Sequence, residues 1–273
     1  MPEGPEIRRA ADKIAAAIVD RPLQEVWFAF DHLKPYAEGL TQQRIIAIET
    51  CGKAMLTHFS NGLTIYSHNQ LYGVWMVRRA YDYPTTNRQL RLAIHSDRKS
   101  ALLYSASDIE ILDADNVLAH PFLQRVGPDI LNPSLTVEEV YERLGEVRFK
   151  RKKLMGLLLD QGFLAGIGNY LRSEILFVAK ISPTYRPMDC SPQQLQQLAI
   201  AIIEVPRQSY QTNGITNDLA IALKMKEQGA KRWQYRHWVF SRAGQRCHCC
   251  DGVILKDTAG GRRYYYCPVC QAG

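Results

Sequence analysis

No uninterrupted apolar run in the 273 residues is long enough to span a bilayer, which argues against a helical membrane protein. The first twenty residues lack the apolar centre of a secretory signal and carry charges throughout, so a cytoplasmic chain with no membrane partner is expected. Internal repeats and low-complexity tracts are absent as well. Negative charge is the scarcer sign: 27 Asp and Glu stand against 34 Lys and Arg, a net charge of +7. Such a surplus suits a partner covered in phosphates, because basic side chains that neutralise them release counterions. Charge alone does not choose that partner. A hydrophobic content of 46% with 22% charged residues is that of a globular protein, and the length allows two modest domains with real cores.

Hydrophobic periodicity divides the chain. Residues 5–19 read as one amphipathic helix, with Ile7, Ala11, Ile14 and Ile18 on one face. Alternation follows at Val26, Phe28 and Phe30, at Leu63 and Ile65 after the hairpin signal Ser60-Asn61-Gly62, and at Leu90, Leu92 and Ile94 before Ala101–Tyr104. Successive short strands with tight turns predict a β-sandwich or barrel that ends near Gly127-Pro128. Helical signals then take over. Thr136 with Glu139 and Ser191-Pro192 with Gln194 make capping boxes. Between them, helical runs over 154–164 and 170–178 flank Gly166-Ile167-Gly168-Asn169, a tight reversal of helix-turn-helix type. The stretch 212–234 has weak periodicity and reads as a mobile connection.

Seven cysteines in a cytoplasmic chain favour metal binding or free thiols over disulfides. Cys247-x-x-Cys250 and Cys267-x-x-Cys270 have the paired spacing of a zinc site, each pair supplying two tetrahedral positions. One structural Zn2+ is therefore expected on Cys247, Cys250, Cys267 and Cys270, closed to water and hence without chemistry of its own. Between the pairs, Gly260-Gly261-Arg262-Arg263 reads as a hairpin tip that presents arginine to phosphate, with a plain solvated turn as the alternative.

The chain opens Met1-Pro2-Glu3-Gly4-Pro5-Glu6. With Met1 removed, Pro2 is a secondary amine able to attack an aldehyde carbon and form an iminium, and Glu3 is a proton carrier beside it. A rigid charged tag is the competing reading of these six residues.

Taken in order, these features resemble the formamidopyrimidine-DNA glycosylase and endonuclease VIII family, and Tyr66-Ser67-His68-Asn69-Gln70-Leu71-Tyr72-Gly73 is most like its bacterial endonuclease VIII branch. The resemblance covers essentially the whole chain. It implies an α+β fold: an N-terminal β-sandwich domain with an N-terminal helix (1–128), a helix-two-turn-helix DNA-binding domain (129–236) and a C-terminal zinc-finger β-hairpin (237–271). It further implies a bifunctional DNA glycosylase and abasic-site lyase of base excision repair that acts as a monomer on damaged double-stranded DNA. By the same resemblance Pro2 is the nucleophile, Glu3 the general acid or base, Lys53 the proton donor for β-elimination and Arg262 the residue of δ-elimination. Gln70, Leu71 and Tyr72 match the wedge that fills the space of a flipped nucleotide, and Arg125 and Asn169 match residues that grip phosphates. The residues leave alternatives open: Lys53 as a surface lysine, Leu71 and Tyr72 as core residues of a strand, Asn169 as a helix N-cap. The wedge points to oxidised pyrimidines, with oxidised purines as the alternative substrate. Retention of Met1 would block the amine and leave a non-catalytic zinc-finger DNA binder.

Overall fold

Ile7, Ala11, Ile14 and Ile18 recur at helical spacing, and α1 (Gly4–Ile18) buries all four. The structure, a computed structural model, describes residues 2–272. Its chain divides into two units, one of Pro2 and Glu6–Arg125, the other of Glu3–Pro5 and residues 126–272.

In the first unit the period-2 segments form β1 (Leu23–Phe28), β2 (Ile45–Cys51), β3 (Ala54–Phe59), β4 (Thr64–His68), β5 (Val74–Arg79), β6 (Leu90–Ser96), β7 (Lys99–Tyr104) and β8 (Asp108–Leu112). They build two antiparallel four-stranded sheets, ordered β1-β6-β7-β5 and β2-β3-β4-β8. Val26, Phe28, Ile45, Phe59, Leu92 and Leu103 share a core with the α1 stripe, so apolar side chains of both sheets fill the space between them. The alternation expected to reach Phe30 stops earlier: Ala29 N still donates to the Arg91 carbonyl (3.0 Å), but Leu33 N then turns back to the Phe30 carbonyl (3.0 Å). Short helices α2 (Ala37–Thr41), α3 (Ala114–Ala119) and α4 (Pro121–Arg125) complete this unit.

The second unit is helical, then finger-like. It contains α5 (Val137–Gly145), α6 (Leu154–Leu157), α7 (Asn169–Val178), α8 (Pro192–Gln211), α9 (Leu219–Glu227), α10 (Arg232–Tyr235) and the hairpin β9 (Leu255–Ala259) with β10 (Arg262–Tyr266). Both capping boxes form, at Thr136 with Glu139 and at Ser191 with Gln194. The helix expected over 154–164 is confined to the single turn of α6. Beyond it side chains compete for the backbone: Asp160 accepts from Gly162 N (2.9 Å), and Gln161 Nε2 donates to the Leu159 (3.1 Å) and Ile167 (3.0 Å) carbonyls. The stretch 212–234 is not a plain connection either. Thr216 N donates to the Arg236 carbonyl (2.9 Å), Asn217 Nδ2 donates to the Tyr235 carbonyl (3.0 Å), and Asp218 caps α9. Its pattern looked weak because α9 leaves Leu219 and Leu223 exposed.

Candidate active site and metal centre

In the first unit, Gly52-Lys53 alone joins β2 to β3, with Cys51 opposite Ala54 across the ladder. Gly52 has φ +60°, a conformation that the first central position of such a hairpin needs and that glycine takes without steric cost. Lys53 therefore sits at a rigid tip. His68 ends β4 opposite Ala54 on β3 and Asp108 on β8. Burial holds its imidazole below the usual histidine pKa against the pull of Asp108, and Lys53 adds to the lowering. A neutral ring leaves Nδ1 free to accept from Gln70 N at 3.0 Å.

That bond opens the turn from β4 to β5. Gln70 takes φ +49° and its Nε2 donates to Asp108 Oδ2 at 2.9 Å. Gly73 N closes the turn on the Asn69 carbonyl (2.7 Å), and Arg88 Nη1 donates to the Tyr72 carbonyl (2.5 Å). The backbone is thus anchored while the side chains of Leu71 and Tyr72 are left out, 57% and 70% exposed. Neither lies in a strand or in the core, which removes that alternative. Arg125 is exposed at the end of α4, its Nε donating to the Pro121 carbonyl at 2.8 Å. Met1, whose removal frees the Pro2 amine, lies outside the described residues.

In the second unit the organising element is α7. Glu3, only 3% exposed, places its carboxylate on the N-terminus of this helix, where it accepts from Gly168 N (2.8 Å), Tyr170 N (2.9 Å) and Leu171 N (3.2 Å). These N–H groups have no partner inside the helix, and the helix dipole favours negative charge there. Gly4 N fixes the approach by donating to the Gly166 carbonyl at 2.9 Å. Glycine at 168 is required for it, since a Cβ there would stand 2.3 Å from the Glu3 carboxyl carbon. Asn169 is consequently the first helical residue and not the cap: Gly168 holds the cap position and a carboxylate from the far end of the sequence does the capping. Asn169 itself is half-buried.

The same helix buries three consecutive polar residues, Arg172, Ser173 and Glu174. Arg172 Nη1 donates to the Met155 carbonyl (2.7 Å) and Nη2 to the Arg263 carbonyl (2.8 Å). Ser173 Oγ accepts from Tyr265 N (3.2 Å). Glu174 accepts from Trp238 N (2.7 Å), Val239 N (2.9 Å), Phe240 N (2.9 Å) and the Thr216 hydroxyl. All three residues thus fasten the C-terminal module onto α7, and Phe177 joins Val239, Ile254 and Tyr265 in a shared apolar cluster. Arg262, exposed, begins β10 immediately after the Gly260-Gly261 turn.

The four expected cysteines converge, their Sγ atoms all within 4.8 Å of one another. Cys250 Sγ lies 3.5 Å from those of Cys267 and Cys270, and Cys247 Sγ 3.8 Å from that of Cys270. A tetrahedron with Zn–S bonds of about 2.3 Å has edges of about 3.8 Å, so the set fits a metal of that size. Backbone N–H groups of Cys249, Gly252 and Cys270 point at the sulfurs of Cys247, Cys250 and Cys267, each at 3.4 Å, as suits thiolate acceptors. Cys249 is exposed and stands outside the set.

Sequence reasoning missed His68, Arg172 and Glu174. For Arg172 and Glu174 the one signal was the polar trio at 172–174 inside an otherwise apolar helical run; nothing local marked His68.

Comparison with known proteins agrees with this geometry. Residues 1–107 match the formamidopyrimidine-DNA glycosylase N-terminal domain and residues 126–220 the formamidopyrimidine-DNA glycosylase H2TH domain. The chain is 54% identical to endonuclease 8 of Klebsiella pneumoniae strain 342 and 53% identical to that of Salmonella arizonae, each over 99% of this chain and 100% of the relative. Among solved structures, Lactococcus lactis formamidopyrimidine DNA glycosylase bound to DNA with an abasic site superposes with a TM-score of 0.80 at 21% identity, over 99% of this chain and 100% of that one. MutM in complex with DNA containing carbocyclic 8-oxo-G gives 0.81 at 22% identity, over the full length of both. Fold and sequence thus lead to one conclusion: the chain belongs to the formamidopyrimidine-DNA glycosylase family.

Proposed function

We propose that the protein removes oxidised pyrimidines from double-stranded DNA and then cleaves the strand at the abasic site by successive β- and δ-elimination. The observation that carries this reading is the Glu3 carboxylate, fixed by three backbone N–H groups one residue from the Pro2 amine. A charged tag needs no such seat. The Pro2 nitrogen attacks C1′ of the damaged nucleotide, the C1′–N bond breaks and the base leaves with a proton. Protonation of O4′ then opens the sugar and leaves an iminium between Pro2 and C1′. Glu3 carries the protons of these steps. The iminium acidifies C2′; loss of that proton sends an electron pair toward C3′ and breaks the C3′–O bond. Lys53, on its hairpin tip, is assigned the proton transfer to the departing phosphate. Loss of the C4′ proton next breaks the C5′–O bond, the step assigned to Arg262. Water finally releases Pro2.

Leu71 and Tyr72 are assigned to fill the space of the everted nucleotide, with Gln70 hydrogen-bonding at the lesion; Arg125 and Asn169 hold phosphates. Cys247, Cys250, Cys267 and Cys270 would hold one structural Zn2+, which would stiffen the module that displays Arg262; four thiolates would leave no position for water. We place the protein in the cytoplasm as a monomer, organised as 1–128, 129–236 and 237–271. Among the described residues no helix is long and apolar enough to cross a membrane.

Borohydride reduces an iminium to a stable bond. With a thymine-glycol duplex and protein shown to lack Met1, a covalent adduct is expected that Pro2→Gly reduces at least tenfold. No adduct with that lesion or with a plain abasic site would overturn the lyase reading. Faster excision of 8-oxoguanine than of thymine glycol would move the substrate to oxidised purines.

A further inference from the structure

Arg172 is the residue whose burial the fold explains least. Its side chain is fully enclosed, no carboxylate lies within ion-pair distance of it among the described residues, and its Nε has no protein partner. Two backbone carbonyls, those of Met155 and Arg263, receive its Nη1 and Nη2 protons, and its guanidinium lies 5.5 Å from the centre of the Tyr264 ring. An enclosed guanidinium without a carboxylate is costly, and an apolar side chain of similar volume generally fills such a position as stably. Packing alone therefore does not account for arginine here.

Its connections do. The Arg263 carbonyl belongs to the Arg263–Tyr264 peptide, one residue beyond Arg262 on β10, so the bond from Arg172 anchors the strand next to Arg262. The other end of the same helix segment carries Glu3, whose carboxylate accepts from Tyr170 N and Leu171 N, the residues just before Arg172. Glu3 favours the Arg172 cation and Arg262 opposes it, although burial dominates and brings the guanidinium down to about 10. Arg172 thus stands electrostatically between the two groups. Ser173 repeats the tie one residue on, through Tyr265 N.

We propose that Arg172 is a positioning residue for the second elimination: by gripping the Arg263 carbonyl it sets where Arg262 stands relative to the Glu3 end of α7. This rests on the lyase reading above. It makes no contact with DNA necessary and leaves the Pro2 step to other groups. The ridge of α7 is then a ruler between the acid that serves the first steps and the arginine that serves the last.

The test uses full-length, zinc-loaded protein and a duplex with one abasic site, labelled at the 5′ end of the damaged strand. On a gel the β product, ending in an unsaturated aldehyde, separates from the δ product, ending in phosphate. Arg172→Met is expected to lower the ratio of δ to β product at least tenfold while borohydride trapping stays within threefold of wild type. Arg172→Lys, which reaches one carbonyl, restores part of the ratio. Adding Arg172→Met to Arg262→Ala lowers the ratio no further than Arg262→Ala alone. An unchanged ratio overturns the proposal. So does a parallel fall in trapping, β product, δ product, zinc content and melting temperature, the pattern of a purely structural arginine. Absence of any adduct from the wild-type protein would instead bring down the lyase reading, and the proposal with it.

Discussion

The turn at 70–72 and the helix at 169–178 break the same rule in opposite directions. In the turn, Leu71 and Tyr72 are large apolar side chains held out from the protein by a backbone pinned through His68, Asp108 and Arg88. In the helix, Arg172 and Glu174 are charged side chains enclosed completely. Single exposed apolar residues are ordinary, but two adjacent ones on an anchored turn suit the proposed contact with an everted nucleotide's surroundings. Enclosed charges are rare without partners, and here the partners are backbone groups of the C-terminal module. The contrast separates two ways of making a site. On the proposed function, one leaves apolar area exposed for a ligand that arrives later, and the other uses polar bonds to hold the groups assigned to catalysis in place beforehand.

The largest effect should come from the helix. Glu174→Ala would leave three backbone N–H groups and the Thr216 hydroxyl without their acceptor in the interior. Breaking such an enclosed charged network costs about 3–5 kcal/mol, so thermal or denaturant unfolding should show a loss of that order. A loss below about 1 kcal/mol would mean that the C-terminal module is held by its other contacts and not by Glu174. The turn should respond in the other currency. Leu71→Ala with Tyr72→Ala is expected to slow excision about 10–100-fold, roughly 1.4–2.7 kcal/mol of barrier, while stability moves by less than about 0.5 kcal/mol. Excision kinetics and melting on the same preparation would check both halves. A marked fall in melting temperature would show that the two side chains serve the fold, and the comparison would lose its point.

The two regions also differ in how far the sequence disclosed them. The turn was legible only through the family resemblance that Gln70-Leu71-Tyr72 carries, since the residues alone equally allow a strand, whereas the finger was legible because cysteine spacing is a geometric constraint written into the chain. The strands near 26–28, 64–65, 90–94 and 101–104, α1 and both capping boxes followed from local periodicity and cap chemistry. What stayed hidden was set by partners distant in sequence. Asn169 read as a cap because capping is normally local, whereas Glu3 takes that role from 165 residues away at its bond to Gly168. The helix expected over 154–164 failed for a similar reason, since Asp160 and Gln161 found backbone partners outside any helical pattern. Nothing local shows that Arg172 and Glu174 are enclosed, and only the arrival of residues 237–240 and 263 explains their burial.

Acid should separate the regions more gently. His237 is enclosed beside Thr216, whose hydroxyl lies 2.8 Å from Nδ1, with Glu174 Oε2 at 3.9 Å and the rings of Tyr170 and Phe240 against it. Burial pushes its pKa down to about 3, and Arg236, Arg232 and Arg242 push the same way. The unfolded chain therefore takes up this proton first, near pH 6.5, as acid is added. Stability from the neutral ring is complete above that pH and drains away as pH falls toward 3, by at most about 1.4 kcal/mol per pH unit for one proton. Glu174 works against the trend: burial raises its carboxyl despite four donors, so proton uptake there occurs earlier in the folded chain. Melting temperature followed from pH 7 to pH 4.5 should fall less steeply in His237→Phe than in wild type. Leu71→Ala should leave the slope as it is, since nothing in the turn depends on that histidine. Equal slopes in His237→Phe and wild type would assign the acid sensitivity to other groups and leave the enclosed network indifferent to pH.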